Sequence, residues 1–276
     1  WNPAGLAGLD HTQALFSSMQ YFADSRVNYA AIATRAGAVG VLAFNAKVLS
    51  VGDVIVTTEQ APEGTGEIIH PTFSVIGTSW AKAFTDRVNF GATLNYINEH
   101  IQNMSASGLG MDFGVQYNTD WRGLTFALTM KNFGSSMAYS GDNLDVSILP
   151  PGAEPGASNR IVRFSTAGFE LPSYFVLASN YNLYNRAQNS LQVKAALQNN
   201  NFGGDNICVG AEWSHRKMLA LRGSWFGTAS SITDLNTGVE TSNFNSGDDL
   251  YQGLALGGGV TVKTTGTQLG VDASWR

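Results

Sequence analysis

No long apolar run occurs in this chain, yet segments of about ten residues repeatedly alternate apolar with small or polar side chains. Leu124, Phe126, Leu128 and Met130 alternate with Thr125, Ala127, Thr129 and Lys131. Ile207, Val209, Ala211 and Trp213 alternate with Asn206, Cys208, Gly210 and Glu212. Leu269, Val271, Ala273 and Trp275 do the same with Gln268, Gly270, Asp272 and Ser274. Successive strand side chains point to opposite faces, so each segment has one greasy face and one small, polar face. Such a strand suits lipid on one side and a polar lumen on the other. The fold class read from the pattern is all-β, an antiparallel transmembrane β-barrel.

The mean hydropathy of -0.05 resembles that of a soluble protein, but barrel strands dilute their membrane signal with every second residue. No stretch reaches the roughly 18 apolar residues of a transmembrane helix. Only 13% of residues are charged, against about 25% in ordinary globular chains. The net charge of -5, without a basic stripe, argues against a nucleic-acid partner. A lone Cys208 excludes an intramolecular disulfide and a cysteine-based zinc cluster.

Thirteen strands are predicted at 12–22, 26–36, 38–50, 70–84, 87–101, 107–119, 122–133, 171–183, 188–199, 205–215, 217–226, 250–263 and 266–275. Tight turns follow the even-numbered strands. Long loops at 51–69, 134–170 and 227–249, with shorter ones between, follow the odd-numbered strands. Short turns on one rim and longer loops on the other are characteristic of outer-membrane barrels. The long loops carry twelve acidic residues against Arg160 and Arg163. The turns carry Arg35, Arg87, Arg122, Arg186, Arg216, Lys217 and Lys263 against Asp86 and Asp120. The acidic rim reads either as ordinary solvated loops or as a surface for divalent cations, lipid headgroups or a basic partner. Aromatic residues near strand ends, such as Tyr21, Trp80, Trp121, Tyr184, Trp213 and Trp275, fit interfacial girdles.

An up-and-down sheet that closes on itself in bacterial barrels has an even strand count, so thirteen implies that a final strand is absent. Fourteen strands are therefore expected, thirteen of them visible. Residues 1–11 read as a partial N-terminal segment and 12–276 as a barrel lacking its last strand. Trp1 opens the chain without a methionine, so a signal peptide and further sequence are expected before it. At least one strand is expected after Arg276.

The opening Trp1-Asn2-Pro3-Ala4-Gly5-Leu6-Ala7 resembles the hatch motif of the FadL-like outer-membrane proteins, and most closely their PorV/PorQ branch associated with type IX secretion. Leu49-Ser50-Val51-Gly52-Asp53, Ser105-Ala106-Ser107-Gly108, Lys131-Asn132-Phe133-Gly134 and Phe169-Glu170-Leu171-Pro172 follow in matching order. The resemblance implies a fourteen-stranded barrel in the bacterial outer membrane with an N-terminal hatch in its lumen. It implies no enzyme activity and no cofactor. The implied role is that of an accessory component binding a protein partner in a secretion or surface-assembly system. The alternative is FadL-type transport of a hydrophobic small molecule.

Among candidate bases, His100 lies near Ser105 and Ser107, while Glu99 points to the other face of the strand. A solvated histidine is the favoured reading for His100; His11, His70 and His215 are the other near-neutral bases, and no catalytic residue is assigned. Asp248 and Asp249 with Asn243 and Asn245 lack the spacing of a calcium loop, and no metal site is assigned. Gly257-Gly258-Gly259 precedes no helix and is read as a place where the wall bends or the hatch passes close. Cys208 reads as a small buried filler. Asp112, Lys131, Lys194, Glu212, Arg222 and Asp272 share the lumen-facing parity with balanced signs. Balanced signs fit pairs across the lumen that fix a plug or brace a narrow barrel, rather than a selective pore. In the loop 134–170, Ile148, Leu149, Ile161, Val162 and Phe164 are apolar residues with Pro150, Pro151 and Pro155 between or beside them. That loop either docks a partner or ligand, or folds over its own barrel mouth.

Overall fold

The computed structural model describes residues 2–22, 24–149, 152, 158–186, 188–233, 240–244, 253–264 and 267–275. Thirteen strands build one antiparallel sheet in which each strand pairs with its predecessor and successor in chain order. They are β1 (Gln13–Gln20), β2 (Arg26–Arg35), β3 (Val41–Ser50), β4 (Thr72–Ala83), β5 (Val88–Ile101), β6 (Met104–Asn118) and β7 (Thr125–Gly134). There follow β8 (Tyr174–Arg186), β9 (Asn189–Asn200), β10 (Asp205–His215), β11 (Leu219–Thr233), β12 (Gly253–Thr264) and β13 (Thr267–Trp275). The alternation thus specifies the wall strand by strand. Most strand ends lie within three residues of the expected ones, and two of the differences change a connection. β6 starts at Met104, leaving Gln102 and Asn103 as a bare turn. β11 runs to Thr233 and pairs with Glu240–Phe244, so part of the expected loop 227–249 is a hairpin extending the wall. Among the described residues no helix is long and apolar enough to cross a membrane.

The register separates the two faces. Val115, Leu128, Leu177, Leu197 and Ile207 are successive cross-strand partners from β6 to β10 and form one outward apolar row. Leu219, Leu221, Leu269 and Val271 continue the exposed aliphatic face on β11 and β13. In water this would be a large apolar patch, far beyond what soluble monomers expose. An antiparallel all-β wall of this kind is compatible with an outer-membrane barrel. The opposite face buries Ser79, Thr93, Asn95, Asp112 and Thr129 beside Ala33, Val41, Ala43 and Ala81.

That polar face wraps the N-terminal segment. A 3-10 helix, Pro3–Gly8, starts from Asn2, whose Oδ1 accepts from Ala4 N at 2.8 Å, with Pro3 suited to the first turn. Leu6 and Leu9 pack on Ala33, Val41 and Ala43 of β2 and β3. At the other end Asn2 Nδ2 donates to the carbonyls of Val115 on β6 and Leu128 on β7, each at 3.2 Å. Six flat strands would span roughly 24 Å at their usual spacing, whereas a six-residue 3-10 helix is roughly 12 Å long. Contact from β2 to β7 therefore requires the sheet to curl around the segment.

Since every step in the sheet reverses direction, β1 and β13 run the same way. Each has one neighbour among the described residues, and the sheet is open along the seam between them.

Candidate functional site

Three of the sequence stretches singled out above meet at the root of the connection between β7 and β8. Asp112 sits where the β6–β7 register shifts, opposite the turn of chain at Asn132, which has φ 58°. Its carboxylate is 2% exposed as a residue and accepts from Asn95 Nδ2 at 3.0 Å, Lys131 Nζ at 2.5 Å and the Asn132 backbone N–H at 2.9 Å. Asn132 in turn donates from Nδ2 to the Pro172 carbonyl at 2.9 Å. Leu171 is buried against Gly110 and Gly134, where any Cβ would crowd it. Gly108 makes room for Met137, which pairs with Phe169 through two backbone hydrogen bonds of 2.8 Å. Ala106, Met137 and Leu171 are one buried cluster, flanked by Ile97, Tyr139 and Phe169.

Tyr139 ties the same root to the wall. Its hydroxyl donates to Glu99 Oε2 at 2.5 Å, and its ring stacks on Phe169 at 5.6 Å. Burial first, then the hydrogen bond to Glu99 and its negative charge, push the phenol up to about 12. Glu67, Gln102, Asn143 and Asn103 extend the connection as a chain of side-chain hydrogen bonds along the loop rim.

Beyond the root the loop changes character. Asp145–Ile148 pairs with Arg160–Arg163 as a short hairpin. Arg163 grips Asp145 with two hydrogen bonds of 2.6 and 2.8 Å, which holds the Asp145 carboxyl below its usual range. Ile148, Leu149, Ile161, Val162 and Phe164 are between 38% and 75% exposed. The root of the loop therefore folds into the wall, while these five apolar side chains beyond it remain exposed. Pro150, Pro151 and Pro155 lie outside the described residues.

All six charges named from parity lie on the inner face, but their pairing runs along the wall and not across a lumen. Lys131 meets Asp112 from the adjacent strand. Lys194 on β9 bonds Glu212 on β10 at 3.1 Å, and Glu212 also accepts from Arg222 Nε on β11 at 3.1 Å. Arg222 reaches on to Asp272 on β13. Cross-strand neighbours lie close to 5 Å apart, well within reach of long side chains, so lateral pairing is the shorter solution. A cavity of about 430 Å³ lies over this ladder, lined by Lys194, Glu212, Arg222, Asp272 and, from β1, Ser17.

One glycine of the run on β12 belongs to that ladder. A Cβ at Gly259 would overlap Asp272 Oδ1 and lie 3.4 Å from Arg222 Nη1. The N-terminal segment instead passes over Gly91 on β5 and Gly114 on β6, where a Cβ would collide with Pro3 and Asn2. Of the two readings of Gly257–Gly259, a close pass of the hatch is thus corrected among the described residues, and the crowding at Gly259 comes from an ion pair. These contacts were invisible in sequence because they depend on which strand neighbours which.

Of the expected motif, Asn2, Pro3, Ala4, Gly5 and Leu6 form or cap the 3-10 helix, with Pro3 and Ala4 buried; Trp1 lies outside the described residues. His100 and Ser105 are cross-strand partners, but no hydrogen bond joins them among the described residues, and Glu99 is engaged by Tyr139. His70 lies 3.2 Å from Asp53, and His215 Nδ1 lies 2.8 Å from Asn189 Oδ1. Cys208 is half-buried on the inner face. No group of three or more potential metal ligands occurs among the described residues. Asn245, Asp248 and Asp249 lie outside them, and the Asn243 backbone pairs with Ser230. No family model matches the chain, and no curated protein matches it.

Proposed function

We propose that this chain is the wall and hatch of a FadL-like outer-membrane β-barrel of the PorV/PorQ kind, acting as an accessory subunit that holds a protein partner in a secretion or surface-assembly system. One further antiparallel strand in the seam makes the wall fourteen-stranded and closed: it runs antiparallel to both β1 and β13, and lipid does not tolerate open sheet edges. The observation that carries the functional reading is the division of the β7–β8 loop. Its root is bolted to the wall through Asp112, Asn132, Leu171 and Tyr139, while its tip exposes five apolar side chains. A rigid base under an apolar tip is suited to docking, because little order is lost on binding.

The test is cross-linking and gentle purification from the native membrane, with co-purifying proteins identified by mass spectrometry. The intact chain is compared with a variant carrying serine at 148, 149, 161, 162 and 164. A protein held by the former and lost from the latter is expected; identical sets, or none, would overturn the proposal.

A further inference from the structure

The rim of tight turns is electrically lopsided. On the β1–β7 side two cations have carboxylate partners, Arg35 with Asp10 at 3.4 Å and Arg87 with Asp120 at 2.7 Å, while Arg122 meets the neutral Tyr181 hydroxyl at 3.3 Å, over the Trp121 ring. On the β8–β13 side Arg186, Arg216, Lys217 and Lys263 follow one another at successive turns. Among the described residues no carboxylate pairs with any of them. The β8–β9 and β10–β11 turns are in contact: the Arg216 backbone N–H donates to the Gln188 carbonyl at 2.5 Å, and its Nε to Gln188 Oε1 at 3.0 Å.

The backbone of the β10–β11 turn adds a second observation, one it shares with Asp120 and Arg122 of the β6–β7 turn. Arg216 and Lys217 occupy a turn closed by a 2.9 Å bond from Met218 N–H to the His215 carbonyl, with φ values of 52° and 56°. Primed hairpin turns of this sort favour Asn-Gly, because side chains with a Cβ are strained at positive φ. Two long cations stand here in place of the residues the backbone prefers. Strain retained at a surface turn points to a use for the side chains.

We infer that this sector of the turn rim binds the phosphate headgroups of anionic phospholipids in the leaflet it borders. The inference rests on the membrane placement proposed above. The cations adjoin exposed outward side chains, Tyr184, Trp213, Met218, Leu219 and Leu269, so they stand at the level where acyl chains give way to headgroups. A soluble acidic protein would not need that apolar border.

The test uses the protein with the closing strand proposed above, folded into vesicles of phosphatidylcholine alone and of an equal mixture with phosphatidylglycerol. Lipids carried out of the mixture by the solubilised protein are then counted by native mass spectrometry. Phosphatidylglycerol should be carried in preference. Arg216→Asn with Lys217→Gly, which suits the turn and so preserves folding, should reduce the preference by about fivefold per cation removed, and Arg186→Gln with Lys263→Gln should add to the loss. Insertion without preference, or a preference untouched by these variants, overturns the inference alone. Poly-glutamate bound by the detergent-solubilised protein, together with equal lipid carriage, would replace lipid with an acidic protein partner. Failure to enter either vesicle would remove the membrane placement and the inference together.

Discussion

Arg222 of β11 is hydrogen-bonded to Asp272 of β13 although β12 runs between them, and it crosses that strand where Gly259 offers no side chain. Gly259→Ala should break the contact. Both partners are substantially exposed, so the loss should be only about 0.5–1 kcal/mol and should shrink in high salt. Folding titrations in lipid at low and high salt, with Asp272→Asn completing a double-mutant cycle, measure it; additive single effects would show that the two do not interact.

Asp112 should behave differently, because it is buried and its loss strands Lys131. Asp112→Asn should cost about 3–5 kcal/mol, and Asp112→Leu with Lys131→Met should recover much of that. Unfolding of the three chains under one set of conditions decides the matter. A double variant no better than the single one would contradict it.

Leu128 lies within the outward row, between Val115 and Leu177. Leu128→Arg should cost about 2–4 kcal/mol if the row sits at mid-membrane. A lipid folding titration with no penalty would contradict the assigned face.

Tyr139 predicts an alkaline transition at the loop root. Its pKa is raised in the folded state, so its contribution to stability is complete below the ordinary phenol value of about 10. That contribution is lost as pH rises through about 12, when the phenolate forms beside Glu99. Amide exchange around 137–139 should accelerate over that window, and Tyr139→Phe should abolish the pH dependence.

Asn2 joins the N-terminal segment to two strands. Asn2→Ala should cost about 0.5–2 kcal/mol locally and expose the segment at residues 2–9 to protease, without altering the wall. Unchanged cleavage would mean that Leu6 and Leu9 suffice to hold it.

The wall was legible because a period of two survives any tertiary context: Leu128 and Val209 face out for the same reason in every strand. The inner face was legible only by parity. Nothing in the order of residues says that Arg222 selects Asp272, or that Asp112 would occupy a register shift and accept a backbone N–H. The stretches that build the loop root were singled out, but their meeting was missed for a similar reason. Met137 draws no notice in the loop and Leu171 is expected to open a strand, until Gly108, Gly110 and Gly134 are placed under them.

The bolted root also bears on assembly. Most strand pairings here close short connections, but β7 and β8 are separated by residues 135–173. Closing so long a connection is the most entropically costly step between neighbouring strands of the wall. Asn132 with the Pro172 carbonyl, and Gly134 with Leu171, draw its two ends together at the point of entry into the sheet. The wall is thus kinetically two meanders, β1–β7 and β8–β13, joined at one latch. Lesions at Asn132 or Leu171 should slow folding more than their effect on final stability would indicate.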